Sequence, residues 1–188
     1  MSTPPESNPV FEQEFLQRNA ELVFNLALRL TGSRTDAEDL AQDALLRALK
    51  ALPDFRGESR ASTWMYRITV NAWKNRVRYE KRRLFWRTVT LGLVGGGEDG
   101  ECEVRDVKAD DPPPDADLEK QEHAMTVQKA LLVLDEDDRA ILVLREIEEK
   151  SYEEIGEVLD LPAGTVKSRL FRARLKLKTA LETSGMKP

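Results

Sequence analysis

The chain has 188 residues, of which 40% are hydrophobic and 34% charged. That is enough chain for one or two small domains with real cores, and the mixture suits amphipathic helices packed in bundles. No apolar run could span a bilayer, the N-terminus lacks the basic and apolar segments of a signal peptide, and a single cysteine, Cys102, excludes an internal disulfide framework. A cytoplasmic protein with no membrane insertion of its own is expected.

The formal net charge of −5 hides a strong pattern. Between Glu98 and Glu122 there are eleven acids and three bases, a local net of −8, which leaves 26 bases against 23 acids elsewhere. Between Arg67 and Arg87 eight bases face Glu80 alone. The chain reads as two basic modules separated by an acidic tether, so its overall acidity misleads about partners.

Residues 1–9 carry three prolines and are expected to be disordered. A first helix is predicted over Phe11 to Leu30, with Phe15, Leu22, Leu26 and Leu30 at helical spacing and Gly32 at its end. Thr35-x-x-Glu38 reads as a capping box opening a second helix to about Leu52. Its buried face would be Ala37, Leu40, Ala41, Ala44, Leu45 and Ala48. The opposite face gathers Asp39, Gln42, Asp43, Leu46 and Lys50. A leucine ringed by carboxylates suits contact with a basic protein surface; a solvated face with one ordinary exposed leucine is the plainer alternative.

Phe55-Arg56-Gly57-Glu58-Ser59 forms a glycine-containing loop before a helix predicted from about Ala61 to Phe85. On that helix Arg67, Asn71, Lys74 and Arg78 share a sector of about 60°. Apolar and aromatic stripes flank it, Trp64, Ile68 and Ala72 on one side and Tyr66, Val70, Trp73 and Val77 on the other. Cations interleaved with rings fit single-stranded or melted nucleic acid, where charges hold phosphates and rings stack on bases. Trp64 and Ile68 are expected in the core; Tyr66 and Trp73 fit either the core or a stacking role.

Residues 91–117, with Gly95-Gly96-Gly97 and Pro112-Pro113-Pro114 among acids, read as a flexible linker. Ser151 and Glu154 form a second capping box, Leu159-Asp160-Leu161 a turn, and Pro162 suits the first position of a last helix. From Ala163 to Lys178 there are six bases and no acid. Val166, Leu170, Ala173 and Leu177 would be buried, while Ser168, Phe171, Arg172 and Leu175 point outward, flanked by Lys167, Arg169, Arg174 and Lys176. Basic amphipathic helices also bind membranes or partner proteins. The capped helix and tight turn before this one favour a helix-turn-helix with its second helix in the major groove. His123 and Cys102 stand alone, and no phosphate-binding loop, metal-ligand spacing or nucleophile elbow occurs, so no catalytic, metal or cofactor site is expected.

Three blocks, DAEDLAQDALLRALKAL, FRGESRASTWMYRITVN and SYEEIGEVLDLPAGTVKSRLFRARLKL, together resemble the extracytoplasmic-function (ECF) group of bacterial sigma-70-type sigma factors. The resemblance implies an all-α fold of two small helical domains: sigma-2 over 10–90, and sigma-4 over 118–183, joined by the acidic linker. It implies docking on core RNA polymerase, through the β′ clamp helices and the β flap, recognition of promoter DNA, and restraint by an anti-sigma factor. Asp39, Gln42, Asp43 and Leu46 match the clamp contact. Phe55, Arg56, Gly57, Glu58 and Ser59 match the loop that captures a flipped −10 base, and Arg67, Asn71, Lys74 and Arg78 lie along the −10 DNA. Lys167, Ser168, Arg169, Phe171 and Arg172 match the helix that enters the −35 groove. Ala61, Asp135 and Asp160 depart from the family's usual aromatic, proline and glycine. A stand-alone helix-turn-helix regulator is the rival reading; it leaves the motifs of the N-terminal half unexplained.

Overall fold

The computed structural model describes residues 9–55, 57, 59–90 and 118–183. The expected linker over 91–117, residues 1–8, Arg56 and Glu58 lie outside the described residues. Helix α1 spans Pro9–Thr31, so helix begins two residues before the expected start. It stops at Gly32, whose φ of +71° is a left-handed conformation that costs glycine little, and whose N–H donates to the Leu28 carbonyl at 2.8 Å.

Helix α2 spans Arg34–Ala51 and corrects the capping prediction. Ser33, not Thr35, is the cap, accepting from the Asp36 N–H at 3.3 Å. Once Gly32 has ended α1, the next residue able to cap begins the new helix. A 3-10 turn over Leu52–Asp54 leads to the loop, and α3 spans Ala61–Thr90, a turn longer than expected.

The described residues of the C-terminal half form four α-helices: α4 over Leu118–Val133, α5 over Glu136–Leu142, α6 over Tyr152–Leu159 and α7 over Ala163–Thr183. Asp135 caps α5 by accepting from the Asp138 N–H at 2.9 Å, which is how the chain manages without a proline there. Helix α5 widens into a π turn over Val143–Ile147. The capping box of α6 is complete: the Ser151 hydroxyl accepts from the Glu154 N–H at 3.1 Å, and the Glu154 carboxylate from the Ser151 N–H at 2.9 Å.

The turn between α6 and α7 runs through Asp160 in a left-handed conformation, φ 55°. Pro162 precedes the first helical residue and acts as the cap, its carbonyl accepting from Thr165 and Val166. Gly156 makes the turn possible, because a Cβ there would lie 2.7 Å from the Leu161 backbone oxygen. The Leu161 N–H is itself held on the Gly156 carbonyl at 2.9 Å, so the obstacle cannot swing aside. Gly156→Ala is therefore expected to cost about 1–2 kcal/mol, overpacking outweighing the better helix propensity. Thermal unfolding checks this; a stabilised variant would mean that the turn yields.

Both halves contribute to one continuous core. Val23, Leu26, Leu30, Leu40, Met65 and Val70 from the N-terminal half meet Leu131, Ile141, Leu142, Leu144, Ile155 and Leu170 from the other. Arg139 stitches the seam. Its guanidinium donates to the carbonyls of Leu131 (2.9 Å), Leu132 (2.5 Å), Leu134 (3.0 Å) and, across the seam, Leu30 (2.9 Å). These carbonyls end α4 and α1, where unpaired acceptors and the negative poles of two helices converge on one cation.

Candidate polymerase and nucleic-acid interfaces

On α2, Asp39, Gln42 and Leu46 are exposed, and Leu46 keeps 51% of its surface. Asp43 is half-buried and bonded to Arg47 at 2.9 Å. Leu46 is not an isolated leucine. It borders a shallow, almost wholly apolar groove of about 390 Å³, lined by Leu16, Ala20 and Phe24 of α1 and by Ala41, Leu45 and Leu49 of α2. The sequence reading missed the α1 side of this groove. Its signal was there, since Leu16, Ala20 and Phe24 recur at four-residue spacing as a second stripe on α1.

In the loop, the Phe55 ring lies 4.8 Å from the Trp64 ring, and Phe15 meets Trp64 edge-on at 6.0 Å. Phe55 and Phe15 thus both pack on the tryptophan ring. Gly57 is exposed with φ +72°, and a Cβ there would meet nothing within 4 Å, so backbone conformation and not space selects glycine. Ser59 is half-buried.

Along α3, Arg67, Asn71 and Arg78 are exposed. Lys74 differs. Only 12% of its side chain is exposed, and its ammonium donates to Asp137 at 2.5 Å. Trp64 is buried and Ile68 half-buried against the core, as expected. For Tyr66 and Trp73 the structure answers the open question: both are buried in the seam between the two halves. The Arg139 guanidinium sits 5.4 Å from the Trp73 ring and the Lys150 ammonium 4.6 Å from the Tyr66 ring. The Tyr66 hydroxyl donates to Glu148 at 2.5 Å; burial first, and then this carboxylate, push its pKa well above the ordinary tyrosine value.

On α7, Val166, Leu170 and Ala173 are buried and Leu177 packs against the core. Lys167, Ser168, Phe171 and Arg172 are exposed, with the Ser168 hydroxyl donating to the Thr165 carbonyl at 3.1 Å. Arg169 is the exception, half-buried and 3.1 Å from Asp137. Burial works against ionisation of Asp137, yet the Lys74 hydrogen bond and the charges of Lys74 and Arg169 hold its carboxyl below the ordinary range. Among the described residues no three side chains gather as metal ligands, and no helix is long and apolar enough to cross a membrane.

The structure therefore presents an apolar groove between α1 and α2 whose lining includes the Glu38 carboxylate, a loop and cation stripe at the start of α3, and an outward cationic face on α7. The family model described as Sigma-70 region 2 matches residues 15–83, and that described as Sigma-70, region 4 matches residues 124–177. The chain is 38% identical over 160 residues to the RNA polymerase sigma-H factor of Pseudomonas aeruginosa, covering 85% of this chain and 80% of that protein. It is 34% identical over 159 residues to the ECF RNA polymerase sigma factor SigW of Bacillus subtilis, covering 85% and 82%. Among solved structures, the sigma factor RpoE of Bartonella quintana, in complex with the anti-sigma factor NepR, aligns with a TM-score of 0.68 at 26% identity, over 93% of this chain and 98% of that one. CnrH, in complex with the cytosolic domain of CnrY, shares the fold, with a TM-score of 0.62 at 23% identity over 94% of this chain and 91% of that one.

Proposed function

The chain belongs to the ECF group of sigma-70-type RNA polymerase sigma factors, and from that membership we propose how its surfaces divide the work of promoter recognition. The protein binds core RNA polymerase and directs promoter-specific initiation. Its N-terminal module, residues 10–90, takes the sigma-2 role, and its C-terminal module, residues 118–183, the sigma-4 role. The β′ clamp helices dock on Asp39, Gln42, Asp43 and Leu46. The apolar groove beside Leu46 supports this assignment, because a contact needs a desolvated centre with a charged rim.

Phe55 to Ser59 captures an extruded −10 base, and Arg67, Asn71, Lys74 and Arg78 hold the adjoining strand. Unstacking a base costs a few kcal/mol, so a loop anchored in advance by Phe55 on Trp64 offsets part of that cost. Lys167, Ser168, Arg169, Phe171 and Arg172 read the −35 duplex, the exposed cationic face of α7 being the observation that carries this part. The protein itself performs no covalent chemistry and works in the cytoplasm, where polymerase and promoter are. An anti-sigma factor is the further partner this reading implies.

Run-off transcription with purified core polymerase on a library of promoter-length fragments tests the whole assignment. Transcripts that depend on the protein and share two spaced upstream motifs are the expected result. Loss of both transcription and polymerase binding would return a stand-alone DNA-binding regulator to first place.

A further inference from the structure

The four consecutive acids at the start of α5 spend their charge on the two DNA-reading helices. Asp137 bridges them: one carboxylate oxygen is 2.5 Å from the Lys74 ammonium of α3, the other 3.1 Å from the Arg169 guanidinium of α7. Glu136 binds Lys81 of α3 at 2.6 Å, while Asp135 binds Lys176 of α7 at 2.8 Å and Asp138 binds the same lysine. Each reading helix thus contributes two cations to one acidic turn. Acids in a first helical turn already complement the helix dipole, but that alone does not explain why all four meet cations from two other elements.

The geometry has a consequence for DNA. Sharing one carboxylate keeps the Lys74 and Arg169 charges no more than about 8 Å apart, fewer than three base-pair steps at about 3.4 Å each. Two promoter elements separated by a spacer cannot both be served from that arrangement. The contacts that cross between the halves, Lys74 with Asp137 and Lys81 with Glu136, would have to give way, and their cations would exchange carboxylate for phosphate. We propose that the acidic turn Asp135–Asp138 is an internal competitor for promoter phosphate, which holds the two DNA-reading helices together in the free protein and is displaced when they engage DNA. This rests on the assignment of α3 and α7 to DNA made above.

The test is the affinity of the full chain, without polymerase, for a fluorescent random-sequence duplex at low salt. Asp137→Asn keeps shape and removes the bridging charge, and α5 keeps its cap because Asp135 supplies it. Glu157→Gln, on the exposed side of α6, makes the same change of net charge away from the turn. Asp137→Asn is expected to tighten binding at least about fivefold and Glu157→Gln less than about twofold, since only the first frees cations for phosphate. Equal effects of the two variants, or none from Asp137→Asn, would overturn the competitor. Arg172→Ala separates that failure from a failure of the underlying assignment. If it weakens binding while Asp137→Asn does nothing, the DNA role of α7 stands and only the competitor falls. If no form of the chain binds duplex, both fall.

Discussion

Leu46→Glu is expected to lower affinity for core RNA polymerase by at least about 100-fold while leaving the fold and the −35 contact intact. Half of the Leu46 side chain is already in water in the free protein, so the substitution costs the fold little. In the complex it would put a carboxylate at the edge of a groove lined by Leu16, Phe24, Leu45 and Leu49. An unpaired charge desolvated in such a place costs about 3–5 kcal/mol, and each 1.4 kcal/mol is a factor of ten. Arg172→Ala is the counterpart: it should weaken −35 recognition by about 1–3 kcal/mol and spare polymerase binding. Titrations of labelled protein with core polymerase, and separately with duplex DNA, read the two losses. If both variants lose the same function, the division of labour between the modules is wrong.

Arg139 is a position at which one substitution reaches both halves of the fold. Arg139→Ala is expected to destabilise the protein by about 3–5 kcal/mol. Four main-chain carbonyls lose a charged donor, and hydrogen bonds to charged groups contribute about 1.5–3 kcal/mol each when considered singly. The contact with Trp73 goes too. A Tm lower by roughly 10 °C follows for a chain of this size. Arg139→Lys should recover little, because an ammonium cannot present the planar fork that reaches carbonyls from two helices at once. A lysine variant melting near the parent would show that charge alone, and not the fork, closes the seam.

Much of this was legible before any coordinates, and the reasons differ by residue. The Ser151–Glu154 box and the left-handed Asp160 are local chemistry, readable from a few neighbours. The buried face of α7 is periodicity. Thr35 misled because Ser33 and Thr35 each have an acid three residues on, and only the stop at Gly32 decides between them. The groove beside Leu46 was hidden because its other wall lies on a different helix. At Tyr66 and Trp73 spacing says that a face is apolar, not what covers it. Their partners, Glu148 and Arg139, are far along the chain. The same holds for Lys74, which spacing groups with Arg67, Asn71 and Arg78 although Asp137 occupies it.

The seam also has a history in time. The Leu30 carbonyl and the guanidinium that satisfies it are 109 residues apart, and the Tyr66 hydroxyl and Glu148 are 82 apart. At synthesis rates of about 5–20 residues per second, the first half of the protein emerges and can fold several seconds before its cover exists. During that interval the nascent chain shows bare Tyr66 and Trp73 faces to whatever is nearby. The first half is thus made with an apolar surface that only the second half covers, and transient exposure of this kind is where a nascent chain is open to chaperones.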